Sequence, residues 1–89
     1  MDTKRKLIYP ELSYQIVGVL FEVYNKLKYG HREKIYQKAI AEIFKAKNIP
    51  FEKEVYYPIK INGKIISRYY FDFLVEGKIV LEIKVAEDF

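Results

Sequence analysis

Two carboxylates and a lysine lie near the C-terminal end of the 89-residue chain, at a spacing that could support metal-assisted chemistry. Nine residues separate Asp72 from Glu82, and one residue separates Glu82 from Lys84. The residues that alternate with this last pair are all apolar: Ile79, Leu81, Ile83 and Val85. Successive side chains of a strand point to opposite faces. The pattern therefore predicts a strand with an apolar core face and with Glu82 and Lys84 together on the other face.

The turn before this strand decides whether Asp72 joins the same face. A three-residue loop over residues 76–78 pairs Val75 with Ile79 and places Asp72 directly opposite Glu82. A two-residue loop would turn Asp72 toward the core, where an unpaired charge is costly. The glycine in this segment suits the bulged three-residue hairpin. We therefore expect the register that pairs Asp72 with Glu82.

A cation between these two carboxylates would give the cluster its chemistry. Carboxylates that face each other across a ladder repel and destabilise the sheet. Mg²⁺ prefers one or two carboxylates together with water and phosphate oxygens. Lys84 on the same face could orient or deprotonate a water, or stabilise the charge that develops as a phosphodiester is attacked. The three residues thus predict metal-assisted phosphodiester hydrolysis, with Mg²⁺ as the ion and Mn²⁺ as its substitute.

Two helices are predicted upstream of this cluster. Apolar residues at intervals of three and four predict a first helix from Pro10 to Leu27, with the proline in its first turn. Gly30 suits the turn that follows. A second stripe, in a segment rich in helix-forming residues, predicts a helix from Arg32 to Lys47. Pro50 prevents its continuation.

After Pro50 the apolar period changes to that of strands. Strands are predicted over Val55–Ile61, Ile65–Val75 and Ile79–Val85, and Asn62-Gly63 is a strong hairpin signal between the first two. The predicted fold class is α/β, with two N-terminal helices followed by a three-stranded antiparallel meander. The length allows one domain, residues 1–89.

The first predicted hairpin carries two tyrosine pairs and several basic residues. Tyr56-Tyr57 and Tyr69-Tyr70 are expected to pack across the two strands, with a base-stacking surface as the alternative. The basic residues of the segment 60–68 are expected to be ordinary solvated charges. Contacts between these charges and a nucleic-acid backbone are the alternative.

Composition excludes several classes of protein. The chain has no cysteine, which excludes disulfides and thiolate metal sites. It has no signal-like apolar run near its start, and no apolar stretch approaches the roughly 20 residues of a membrane span. We therefore expect a cytoplasmic protein without membrane contact. The net charge of +4 is compatible with a nucleic-acid partner, although the lysines are spread along the chain.

Two motifs in this order resemble a known group of nucleases. Asp72 followed by Glu82-Ile83-Lys84 resembles the D…ExK core of the PD-(D/E)xK nucleases. Upstream, residues 30–36 read G-x-x-E-x-x-Y, which is similar to the signature of the GxxExxY family of that superfamily. The resemblance extends from about Leu20 to Val85. It implies a restriction-endonuclease-like core and a Mg²⁺-dependent nuclease, for which DNA is the favoured substrate and RNA the alternative.

The resemblance also implies a role for each residue of these motifs. Asp72 and Glu82 would be direct metal ligands, and the carbonyl oxygen of Ile83 would be a third. Lys84 would be the catalytic lysine. The superfamily's helical acidic residue corresponds to Glu33, which would approach the same metal. Tyr36 follows three residues later on the same helix face and could bond to a carboxylate or phosphate.

Plainer interpretations remain open for the same residues. Asp72, Glu82 and Lys84 could be ordinary charges on an exposed sheet face. Glu33 could only complement the helix dipole, and Tyr36 could be an aromatic residue at the edge of the core. The alternative function is a non-catalytic, nuclease-derived module that binds nucleic acid or a protein.

The chain departs from the family after the third predicted strand. Members of the superfamily usually continue with a further helix and strand, whereas only residues 86–89 follow here. We therefore expect an uncovered face or edge of the sheet. Exposed apolar faces and unpaired edges favour association with another chain. The expected assembly is a homodimer or larger homo-oligomer, formed through the sheet edge or the open face.

Overall fold

The computed structural model describes residues 9–85 and contains two helices and one three-stranded antiparallel sheet. The sheet has the order β1-β2-β3, with each strand paired to its neighbour in sequence. This is the predicted α/β architecture, and it is consistent with a restriction-endonuclease-like fold. The elements are α1 (Pro10–Leu27), α2 (Glu33–Ala46), β1 (Phe51–Ile61), β2 (Lys64–Val75) and β3 (Ile79–Leu81).

Helix α1 has the predicted bounds. Its apolar stripe and the residues at its two ends indicate the same start and the same end. Pro10 occupies the first turn, where a missing N–H costs nothing. The buried residues of the helix recur at intervals of three and four: Leu12, Ile16, Val19 and Val23. At the C-terminal end, Lys28 and Gly30 both have positive φ, and the chain leaves the helical path.

Helix α2 lies within one residue of its predicted limits at each end. Its buried face consists of Tyr36, Ile40, Ala41 and Phe44. At its C-terminal end, Asn48 adopts φ 58° and the Ile49 amide donates to the Phe44 carbonyl at 2.9 Å. Asn tolerates this left-handed conformation, so the chain can turn out of the helix before Pro50.

Strand β1 begins four residues earlier than predicted, at Phe51 rather than Val55. The three charged residues Glu52-Lys53-Glu54 do not show the apolar alternation of a strand, so this part of β1 was not predicted. Phe51 pairs with Val75 of β2, and its ring lies 5.3 Å from that of Phe44. Cross-strand pairing and packing on α2 thus extend the strand past its polar residues.

The turn between β2 and β3 has the predicted register, but β3 is shorter than predicted. Val75 pairs with Ile79, as the three-residue loop requires. The ladder ends at Leu81, so the expectation of a strand to Val85 was wrong. The amides of Ile83 and Val85 donate to side-chain carboxylates instead of to a strand. Residues 82–85, called the acid-held segment below, therefore leave the sheet.

The core lies between the two helices and one face of the sheet. Phe44, Phe51 and Phe73 form a triangle of rings with centroids 5.3–5.7 Å apart. Phe44, Phe73 and Val75 are fully buried. We call this face of the sheet the helix side. On the opposite face, called the open side, Val80 remains 46% exposed.

The paired strands β1 and β2 extend well past this core. Every residue from 59 to 70 is exposed. The loop at the tip is Asn62-Gly63, where both residues have positive φ, as a type I′ turn requires. Ile66 is an extra residue in β2, because Ile59 pairs with Ser67 whereas Lys60 pairs with Ile65. We call residues 55–70 the hairpin arm.

In the part of the chain that the structure describes, neither helix is long and apolar enough to cross a bilayer.

Candidate functional site

A cavity of about 1000 Å³ brings together most of the residues predicted to do chemistry. It opens between the end of α1, the start of α2 and the acid-held segment. Five of the six predicted site residues line it: Glu33, Tyr36, Glu82, Ile83 and Lys84. Asp72 is not among the lining residues. The deeper wall is apolar and includes Leu20, Val23, Ile40 and Leu81. The acidic and basic groups therefore lie beside a recess that excludes part of the surrounding water.

Asp72 is bound to the backbone of the acid-held segment. Its Oδ2 accepts a hydrogen bond from the Ile83 amide at 2.6 Å, and the bond is partly buried. A carboxylate that accepts from an N–H forms one of the stronger hydrogen bonds in proteins. Asp72 therefore positions the chain at Ile83, immediately before Lys84.

Glu33 binds the same segment from helix α2. It lies in the first turn of α2, and its Oε2 accepts a hydrogen bond from the Val85 amide at 3.3 Å. The helix N-terminus favours this negative charge. Asp72 and Glu33 together hold the residues on either side of Lys84. The Lys84 side chain is exposed, and none of the ion pairs found within residues 9–85 includes it.

Glu82 has a partner that the sequence did not indicate. Its two carboxylate oxygens lie 3.1 and 3.2 Å from the hydroxyl of Tyr69, which donates to them. The Tyr69 ring is on the helix side of β2, 5.1 Å from that of Phe71. A regular strand through Val85 would have directed Glu82 to the other face, so strand periodicity could not predict this contact.

The predicted pairing of Asp72 directly opposite Glu82 is therefore not formed in this structure. The register is right, but the ladder stops one residue before Glu82. Asp72 hydrogen-bonds to a backbone amide, and Glu82 hydrogen-bonds to a tyrosine. The physical reason is the departure of the acid-held segment from the sheet, which separates the hydrogen-bonding partners of the two carboxylates.

Tyr36 supports the loop between the helices. Its ring is 9% exposed, and its hydroxyl donates to the Lys28 carbonyl. The His31 ring packs edge-on against it, with centroids 5.8 Å apart. His31 Nε2 lies 3.0 Å from the Leu27 carbonyl and donates to it in the Nε2–H tautomer. These contacts fix the chain between α1 and Glu33.

Two further tyrosines lie at the wall of the cavity. The rings of Tyr24 and Tyr29 meet edge-on at 5.5 Å. Hydrogen bonding with Tyr29, followed by desolvation and by the charges of Tyr29 and Tyr36, raises the pKa of Tyr24 to about 12. Tyr24 is 44% exposed, so the hydrogen bond contributes more to this shift than burial does. Tyr24 therefore keeps its proton at all physiological pH values.

The carboxylates of this site are chemically suited to bind a magnesium ion. Asp72, Glu82 and Glu33 supply the hard oxygen donors that Mg²⁺ prefers. The Ile83 carbonyl, a further oxygen donor, follows Glu82 in the acid-held segment. Within residues 9–85, however, no three His, Asp or Glu side chains are grouped closely enough to form a ready-made metal cluster. A metal at this place would have to compete with the hydrogen bonds to Ile83, Val85 and Tyr69.

Comparison with known proteins gives one match. The family model of the PD-(D/E)XK nuclease superfamily matches residues 10–89. That range contains all the predicted site residues. No curated protein and no solved structure matches the chain.

Proposed function

Because the chain belongs to the PD-(D/E)XK nuclease superfamily, whose members cleave nucleic acids, we propose that it hydrolyses phosphodiester bonds with the help of Mg²⁺. DNA is the proposed substrate in preference to RNA, and Mn²⁺ would substitute for Mg²⁺. One observation carries the proposal. Glu33, Glu82 and Lys84 share a cavity, and Asp72 is hydrogen-bonded to the backbone next to Lys84.

The metal would be held by the carboxylates of Asp72 and Glu82 and by the carbonyl of Ile83, with Glu33 nearby. When bound, Mg²⁺ would neutralise phosphate charge and make a water a better nucleophile. The protein's own contribution is to position these donors. The hydrogen bond from the Ile83 amide orients Asp72, and the hydroxyl of Tyr69 orients Glu82. Both contacts are available before any ion arrives.

Lys84 is proposed as the catalytic lysine. Its ammonium group is exposed beside the cavity and has no ion-pair partner among residues 9–85. It would stabilise the negative charge that develops on the attacked phosphate, or transfer a proton. Such a group typically contributes about 10²–10³-fold to the rate. Asp72 and Glu33 hold its two neighbours, which limits where the side chain can reach.

We also propose membership of the GxxExxY family within the superfamily. Each residue of that motif has a place at the cavity. Gly30 has φ 93°, which allows the turn into α2. Glu33 reaches the acid-held segment, and Tyr36 anchors the loop through the Lys28 carbonyl. The motif would therefore position the helical acid rather than contact the substrate through all of its members.

A non-catalytic binding module is the second candidate. The observation that favours it is the engagement of both Asp72 and Glu33 with backbone amides. Carboxylates used in this way stabilise the chain and need no metal. Calorimetric titration with Mn²⁺ discriminates the two candidates, because a nuclease should give heat that Asp72→Asn abolishes. Absence of such heat in the wild-type protein would favour the binding module.

Self-association through a sheet edge is proposed for the same chain. Within the described residues, β1 and β3 are the two outer strands, and Val80 on β3 is 46% exposed. Unpaired edges favour pairing with another chain, and a twofold homodimer is the commonest result. Light scattering coupled to size exclusion measures the mass directly. A monomer at micromolar concentration would contradict this proposal.

The nuclease proposal is tested with plasmid and single-stranded DNA in Mg²⁺ or Mn²⁺. Lys84→Ala should lower cleavage by about a hundred-fold or more. Lys38→Ala, which removes an exposed lysine from α2, is the matched control and should cleave normally. Equal cleavage by the wild-type protein and Lys84→Ala would identify a contaminating nuclease. Matching RNA substrates measure the preference for DNA.

A further inference from the structure

The hairpin arm exposes aromatic rings on both of its faces. Register places Tyr56 directly opposite Tyr70 on the open side, with ring centroids 5.3 Å apart and planes at 47°. These two side chains remain 44% and 58% exposed. Tyr57 pairs with Tyr69 on the helix side. Packing across the two strands covers only the parts of the rings that contact each other. Much of each Tyr56 and Tyr70 ring remains exposed to solvent.

Two of the three basic residues of the arm lie on the open side with Tyr56 and Tyr70, whereas Lys64 pairs with Ile61 on the helix side. Arg68 precedes Tyr70 by two residues and pairs with Pro58, so it shares the face of Tyr70. Lys60 follows Pro58 by two residues along β1 and continues the same face. With a rise of about 3.3 Å per residue, each step of two residues moves about 7 Å along the arm. Tyr56, Tyr70, Arg68 and Lys60 therefore form one row, called the aromatic-basic strip.

The arm also lacks acidic residues. Residues 55–71 contain three lysines or arginines and no aspartate or glutamate. Carboxylates reappear only at the base of the arm, at Glu54 and Asp72. The open side of the arm thus combines positive charge with accessible ring faces over about 14 Å, the length of two such steps. Proteins that bind single-stranded nucleic acid use this combination, with rings stacking on bases and cations on phosphates.

Other occupants suit the strip less well. A second copy related by a twofold axis would bring Arg68 and Lys60 of both chains together, and like charges repel. Pro58 in the middle of β1 removes a backbone donor from that edge. Exposed isoleucines at the tip, Ile65 opposite Lys60 and Ile66 next to it, would suit a bilayer surface, whereas the exposed rings of Tyr56 and Tyr70 lie about 14 Å from that tip and favour stacked bases. Duplex DNA would hide the base faces on which tyrosine stacks.

We propose that the aromatic-basic strip binds single-stranded DNA, with bases stacked on Tyr56 and Tyr70 and phosphates paired with Arg68 and Lys60. This binding needs neither metal nor hydrolysis. The strip ends beside Asp72, which lies two residues after Tyr70 on the same strand. Delivery of the bound strand to the candidate site is the only part that depends on the proposed nuclease function.

The test is fluorescence anisotropy with a labelled 15-nucleotide oligo(dT) in EDTA, which removes divalent metal. Wild-type protein should bind this probe more tightly than a duplex of the same length. Tyr70→Leu keeps an apolar side chain in the strand but removes the ring, and should weaken binding about five- to hundred-fold. Tyr70→Phe keeps the ring and should bind as the wild-type protein does. Arg68→Gln should lower the slope of log affinity against log salt by about 0.7.

Three controls separate the strip from other causes. Tyr57→Leu alters the adjacent tyrosine on the helix side and should leave affinity unchanged. Lys45→Gln removes an exposed lysine of α2, outside the arm, and should leave the salt slope unchanged. The absence of divalent metal is the third control, because binding measured in EDTA does not depend on hydrolysis, so a failed cleavage assay and a failed binding assay are distinguishable. Circular dichroism melts confirm that each variant is folded.

Several outcomes would overturn the proposal. Equal losses in Tyr57→Leu and Tyr70→Leu would show a general effect on the arm. Tighter binding of duplex than of oligo(dT) would assign the strip to double-stranded DNA. Binding to vesicles with 30% anionic lipid that Tyr70→Leu abolishes would assign it to a membrane surface. A change of mass in Tyr70→Leu alone would assign it to self-association.

Discussion

The two halves of the β1–β2 ladder have different environments although they form one pair of strands. At the base, Phe51, Phe73 and Val75 pack against α2, and Phe73 and Val75 are fully buried. In the arm, every residue from 59 to 70 is exposed. The base is held by apolar burial, whereas the arm depends on its type I′ turn and on cross-strand pairs. Substitutions should therefore cost much more stability at the base than in the arm.

Two contacts of the candidate site come from the junction of these two halves. Asp72 immediately precedes the buried Phe73 in β2. The hydroxyl of Tyr69, a residue of the arm, donates a hydrogen bond to Glu82. Side chains at such a junction are positioned by the rigid core while they remain accessible to a substrate. Asp72 is half-buried and Glu82 is exposed, and hydrogen bonds to Ile83 and Tyr69 position the two acids.

The largest expected effect is at the base of the sheet. Phe73→Ala removes a fully buried ring that contacts Phe44 and Phe51 and should cost about 3–5 kcal/mol of unfolding free energy. Tyr70→Ala in the arm should cost under about 1 kcal/mol. Urea unfolding followed by circular dichroism measures both. Similar losses in the two variants would show that the arm is as important to stability as the base.

The next effect concerns the junction. Asp72→Ala leaves the Ile83 amide without its carboxylate and should cost about 1.5–3 kcal/mol. Hydrogen exchange at that amide should accelerate as well. Glu52→Ala, which removes an exposed acid from β1, is the control and should change stability little. Unchanged exchange at Ile83 would mean that Asp72 does not hold the acid-held segment in solution.

Two glycine substitutions should change the free energy of unfolding in opposite directions. Gly63→Ala forces a side chain into the φ of 79° at the tip of the arm and should cost about 1–2 kcal/mol. Gly18→Ala lies inside α1 with open space around the added methyl group, and should stabilise by about 0.5–1 kcal/mol. Thermal melts measure both. A stabilising Gly63→Ala would contradict the type I′ turn.

The smallest expected effect is a dependence on alkaline pH. The folded protein raises the pKa of Tyr24 to about 12, whereas an ordinary tyrosine has a pKa near 10. The raised folded-state pKa contributes stability that is complete below pH 10 and is lost as the pH rises toward 12. Absorbance at alkaline pH should show one late-titrating tyrosine that disappears in Tyr24→Phe. The Tyr14→Phe variant, which alters an exposed tyrosine of α1, is the control.

Local rules were enough to predict most of the architecture. The bounds of α1 follow from its apolar stripe and Pro10, and the hairpin tip follows from Asn62-Gly63. The register at Val75 and Ile79 followed from the cost of burying the Asp72 charge, and it is confirmed. Membership of the nuclease superfamily, which the resemblance of the Asp72, Glu82-Ile83-Lys84 motif and of residues 30–36 implied, is also confirmed. Each of these depends on neighbours in sequence or on one strand pair.

The end of β3 and the partners of the acids were decided by tertiary structure. Glu33 and Val85 are 52 residues apart, and no local pattern indicates that one accepts a hydrogen bond from the other. That contact and the one from Ile83 to Asp72 replace ladder hydrogen bonds, so residues 82–85 leave the sheet. The residue types alone determined which groups could do chemistry. Their arrangement depended on which acceptors the fold offered to the backbone amides of this segment, since buried N–H groups must find a partner.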